Sequence, residues 1–100
     1  MARPFQSTDR RRESAETIAV QALGFLAADE TRLERFLALS GLGPENLREA
    51  ASGPGFLAAV LDHVAGDESL LLAFAAEQGL DPTEIGRARD VLAPPTMEMP

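Results

Sequence analysis

Apolar residues recur at helical intervals along most of this chain. Ile18, Ala19, Ala22, Leu23, Phe25 and Leu26 follow three- and four-residue steps and fall largely on one face, which predicts a first helix running to about Leu26. Its start is expected around Ser7 to Asp9, any of which can accept from the free N–H groups of a first turn. Met1 to Gln6 carries Pro4 and no periodicity and is expected to fray. Asp29 or Thr31 then caps a second helix, in which Leu33, Phe36 and Leu37 form the apolar stripe while Arg32, Glu34 and Arg35 take the other side. Gly41 ends it, since glycine adopts the left-handed conformation after a helix without steric cost. Pro44 suits a first helical position, where no N–H is needed, and opens a short third helix to about Ala51.

Ser52-Gly53-Pro54-Gly55 is a cluster of turn formers and the clearest break in the pattern. Beyond it a fourth helix is expected over about Gly55 to Ala65, with Phe56, Leu57, Val60, Leu61 and Val64 apolar. Asp67 or Ser69 caps a fifth through Gln78, and Gly79 ends it. Asp81-Pro82-Thr83-Glu84 joins a capping residue to a helix-compatible proline and starts a sixth helix ending near Ala93. Pro94-Pro95 forbids continuation, and the tail to Pro100 is expected to be disordered.

The second half of this pattern repeats the first at a spacing of about 38 residues. Sliding Ser14 to Ala51 onto Ser52 to Arg89 pairs Asp29-Glu30 with Asp67-Glu68, Leu33 with Leu71, Phe36 with Phe74, and Gly41-Leu42-x-Pro44 with Gly79-Leu80-x-Pro82. Roughly a dozen of the pairs are identical, the mark of a duplicated supersecondary unit. No segment is left for a sheet, so the fold class is all-α: six helices as two packed three-helix repeats, about 14–51 and 52–89, in one domain over 1–100. Each unit alone is too short to sustain a core, so the two must share one interior. Leu33 and Leu71, Phe36 and Phe74, and Leu42 and Leu80 are expected to superpose and to be buried, with the two leucines of the Gly-Leu-x-Pro turns plugging equivalent spots.

Composition narrows the chemistry. Five Phe with no Trp or Tyr leave Leu, Ala, Val and Phe to build the core, a palette suited to close helix approach. With no cysteine there is no thiolate nucleophile, disulfide or cysteine-ligated metal, which also favours the cytoplasm over a secreted, stapled domain. The N-terminal charge is followed by no apolar run of signal or membrane-span length, so a soluble protein is expected. Sixteen acids against nine arginines give a formal charge of −7. Such a surface repels phosphate backbones and anionic membranes and favours neutral or basic protein partners.

Candidate chemistry is sparse. His63 is the lone histidine, with Asp62 and Asp67 nearby; as its repeat counterpart is Phe25, a ring partly filling the interior is the favoured reading over a catalytic base. The Asp-Glu pairs at 29–30 and 67–68 read as helix-start acids rather than metal ligands. No phosphate loop or spaced ligand set appears, so no catalytic, cofactor-binding or metal residues are assigned. Arg10-Arg11-Arg12 is the one basic run, and Glu13 and Glu16 lie one turn on to pair with Arg10 and Arg12. A solvated helix start is favoured there over a nucleic-acid patch.

One difference between the repeats is sharper. Where the second helix has Arg32, Glu34 and Arg35, the fifth has Leu70, Leu72 and Ala73. A face that changes from charged to apolar calls for a cover, because large apolar patches on monomers are rare. The cover is expected to be the first or sixth helix, with the N-terminal arm and its Phe5, or else a second chain; Leu70, Leu72, Ala73 and Phe5 are therefore the candidate interface.

The stretch Ala15-Glu16-Thr17-Ile18-Ala19-Val20-Gln21-Ala22-Leu23-Gly24-Phe25-Leu26-Ala27, with Leu33-Glu34-Arg35-Phe36-Leu37-Ala38-Leu39-Ser40-Gly41-Leu42, resembles the bacterial domain-of-unknown-function family 3572. The resemblance continues through Gly55 to Asp62 and Leu72 to Ala75. It implies a small bacterial cytoplasmic helical protein with no catalytic residues to carry over. The expected function is a non-enzymatic protein-protein interaction or regulatory module, its partner another protein or a second copy as a homodimer. The alternatives are a nucleic-acid-associated regulator using Arg10 to Arg12, and a small enzyme or ligand carrier using His63, which requires a concave pocket at that ring.

Overall fold

The computed structural model describes residues 4–53 and 55–93, with side chains from Arg10 onward except Pro44. Six helices account for nearly all of it: α1 (Pro4–Ala27), α2 (Glu30–Ser40), α3 (Pro44–Ala51), α4 (Phe56–Ala65), α5 (Glu68–Gln78) and α6 (Pro82–Leu92). Among the described residues there is no strand. One boundary departs from the sequence expectation. α1 is already helical at Pro4 rather than starting at Ser7 to Asp9, because proline at a first helical position needs no N–H partner and presets φ. The expected fraying therefore does not extend over residues 4–6, and the expected disorder at 1–3 and 94–100 lies outside the described residues.

Helix ends are set by local hydrogen bonds. The Asp29 carboxylate accepts from the Arg32 N–H at 3.2 Å, and Asp67 accepts from the Leu70 N–H at 3.1 Å. At the other ends Gly41 (φ 77°) and Gly79 (φ 69°) turn left-handed. The following N–H groups reach back, Leu42 to the Leu37 carbonyl at 3.0 Å and Leu80 to the Ala75 carbonyl at 2.9 Å. This closure places a leucine just past each helix against the core. α6 starts on a reciprocal pair in which the Thr83 N–H donates to Asp81 and the Asp81 N–H donates to Glu84, both at 2.9 Å. The Thr83 N–H, followed by the Thr83 hydroxyl donating at 2.7 Å, holds the Asp81 carboxyl below the usual carboxylate range. A lowered folded pKa contributes stability that is present above the unfolded value and lost as pH falls through the folded one. Asp81→Ala should therefore lower the melting temperature at neutral pH and leave less difference between neutral and strongly acidic solution than the parent shows, as thermal melts across that range would reveal.

The centre is built from three helices. α1 lies along α6, both pack on α4, and α2 and α5 flank α1 and α4 respectively. Ala15, Ala19 and Ala22 form a fully buried small-residue stripe on α1, which lets neighbouring backbones approach closely. α4 contributes Phe56, Val60, Leu61 and Val64, and α6 contributes Ile85, Ala88 and Leu92. Phe36 of α2 and Phe74 of α5 anchor the flanking helices. Leu33, Leu71, Leu42 and Leu80, expected to be buried, are only half-buried at the margin of this core.

α3 packs chiefly against α4 and stays peripheral, although α6 occupies the matching place in sequence and is central. Leu47 and Ala50 of α3 are half-buried, whereas Ile85 and Ala88, their partners at the 38-residue offset, are buried.

Candidate functional site

His63 stands near the end of α4, half-exposed, with its ring edge-on to Phe36 at 5.1 Å between centroids. Phe25 and Phe74, which lie 38 residues before His63 and after Phe36 respectively, make a similar contact at 5.3 Å. His63 thus packs as one ring of an aromatic pair, yet part of it is wet. That part lines a depression of about 210 Å³. One wall is α2, with Thr31, Arg32 and Arg35. The other is the α4–α5 junction, with Asp67, Ser69, Leu70 and Ala73. Burial is the main cause of a lowered His63 pKa and the Arg35 charge adds to it, while Asp67 and Asp62 act in the opposite sense. The ring therefore favours its neutral form more than a free imidazole does.

The walls of this depression carry residues 38 positions apart in the sequence. Thr31 faces the same space as Ser69, Arg32 as Leu70, and Arg35 as Ala73. The apolar face of α5 thus has an explanation the sequence did not supply. Across from Leu70 and Ala73 stands α2, while the side chains of the N-terminal arm, expected as a cover, lie outside the described residues. Arg32, half-buried, is held with its guanidinium carbon 4.2 Å from the centre of the Phe25 ring, a cation–π contact. Leu72 lies on the other flank and is 50% exposed. The Phe5 side chain lies outside the described residues.

Arg10, Arg11 and Arg12 are all exposed on α1. Arg12 pairs with Glu16 at 3.4 Å, as expected from their spacing. Arg11 instead borders a broad cleft of about 520 Å³ between α1 and α6, floored by Ala15, Ile18, Ala88 and Val91. Arg87, Glu84 and Asp90 complete its rim, so positive and negative charges alternate there. Asp29 and Asp67 serve as caps, and among the described residues no cluster of three or more His, Asp or Glu could hold a metal ion. Nor, among those residues, is any helix long and apolar enough to cross a membrane.

The grouping of Arg32 and Arg35 with His63 was missed in the sequence. A signal existed, since the 38-residue offset pairs both arginines with apolar residues and His63 with Phe25. What it lacks is the approach of the two units that turns those positions towards one another.

A family model described as "Protein of unknown function (DUF3572)" matches residues 12–95, which take in all of α2 to α6 and most of α1. No curated protein and no solved structure matches the chain.

Proposed function

The chain belongs to this family of proteins of unknown function, DUF3572, and we propose that it is a small non-enzymatic interaction module that docks a protein partner on the outer face of α5. The observation that carries this is Leu72, 50% exposed where the equivalent position of α2 is Glu34. Ala76 stands exposed one turn further along the same face and Glu68 one turn before, so Leu72 and Ala76 form a short apolar strip bordered by an acid. The charge of −7 disfavours acidic partners and nucleic acid. A second copy of the chain is the first partner to test. The pairing of Arg12 with Glu16 lends little support to a nucleic-acid role for Arg10 to Arg12. The absence of cysteine and the family resemblance favour a bacterial cytoplasm.

The scaffold is best understood as a duplicated three-helix unit with a period of 38 residues. Support comes from helices α2 and α5 starting at Glu30 and Glu68, from α1 and α4 ending at Ala27 and Ala65, and from the paired caps and aromatic contacts. α3 and α6 have since diverged in their packing.

Leu72→Arg tests the docking face. Replacing an exposed leucine should leave stability within about 0.5 kcal/mol of the parent. Concentration-dependent sedimentation should show self-association in the parent and its loss in the variant. A parent that is monomeric at every concentration and inert to candidate proteins, or a variant that associates unchanged, would overturn the proposal.

A further inference from the structure

We propose that the depression between α2, α4 and α5 binds a small phosphate dianion, free or as a monoester, through Arg32, Arg35 and His63. Two arginines, permanently charged, line it together with the lone histidine of the chain. In a protein of charge −7, this is a local reversal of sign. Among the described residues neither arginine has a carboxylate within salt-bridge distance, whereas Arg12 and Arg89 do. Arg32 is in addition pre-positioned by the Phe25 ring, which reduces the side-chain ordering that binding would require.

The remaining residues suit the same ligand. Thr31 and Ser69 supply hydroxyl donors from opposite walls. Asp67 is the one carboxylate lining the space, and it already accepts from the Leu70 N–H at 3.1 Å. Leu70 and Ala73 give the far wall an apolar surface, which strengthens the charges opposite it. The space, about 210 Å³ and open to solvent, is large enough for a phosphate group. With Asp67 counted, the lining keeps a net positive charge, and the several oxygens of a phosphate group can accept from both arginines and the two hydroxyls, where a simple carboxylate offers only two oxygens.

The test is a titration of the full chain with sodium phosphate at fixed ionic strength, followed by amide and imidazole NMR, with sodium acetate and sodium chloride as controls. Saturable shifts at Thr31, Arg32, Ser69 and Leu70 are expected with phosphate and not with the controls. Binding should also raise the His63 pKa, because an anion favours the imidazolium against the neighbouring Arg35, in the same sense as Asp67 and Asp62. Arg35→Gln, on an exposed residue, should keep the fold and weaken binding about tenfold or more. Arg32→Gln should do the same, and if it does not fold, Arg35→Gln alone decides. Leu72→Arg should bind phosphate normally, so failure of the docking proposal and failure of this one are separable. Saturation by acetate at equal affinity, an unmoved His63 pKa, or parent-like binding by Arg35→Gln overturns the site.

Discussion

Phe74→Ala should destabilise the protein by about 3–5 kcal/mol, the range for removing a fully buried aromatic ring. Phe74 is 0% exposed, and its ring meets Phe25 of α1 at 5.3 Å. It is the main anchor of α5, whose other buried residue is the small Ala75. A domain of this size has only about 5–15 kcal/mol of stability in total, so the loss should lower the melting temperature by more than about 12 °C. The depression beside His63 should loosen with it, because α5 forms one wall. Calorimetry and urea unfolding would check the figure. A loss below about 1.5 kcal/mol would mean that α5 is held by its caps and by Leu70 and Leu71 instead.

Ile85→Ala and Leu47→Ala, a pair at equivalent sequence positions, should differ strongly in cost. Ile85 is fully buried between α1 and α4, and truncating it should cost about 2–5 kcal/mol. Leu47 is half-buried on peripheral α3, where the cavity is open to solvent, and its truncation should cost roughly half as much or less. Urea midpoints of the two variants at constant m-value would give the comparison. Equal costs would mean that α3 is as integral to the core as α6.

Much of the fold was legible from short-range rules. Asp29, Asp67 and Asp81 cap the helices they precede, and Gly41 and Gly79 end the helices they follow, at the residues expected. These signals involve groups no more than about five residues apart along the chain, so the sequence displays both partners at once. The all-α class follows from the same spacing. The start of α1 was misplaced at Ser7 to Asp9 because three capping residues there outweighed a proline whose helical compatibility depends only on position.

The candidate site was legible only in its parts. His63, Asp67, Leu70 and Ala73 each stood out, but Arg32 and Arg35 read as a solvated helix face. Helical periodicity says which residues share a face and nothing about what faces them. Likewise, Phe36 and Phe74 are buried as the repeat suggests, while Leu42 and Leu80 are only half-covered.

The sequence by itself determined where helices begin and end and which stripe of each is apolar, because hydrogen-bond caps and side-chain periodicity are local. Only the tertiary structure decided that α6 enters the core while α3 stays outside, and that α2 confronts α5 across a depression lined by arginine on one side and leucine on the other. α6 packs on both α1 and α4 whereas α3 packs chiefly on α4, and which of them enters the core depends on packing between residues far apart in the chain.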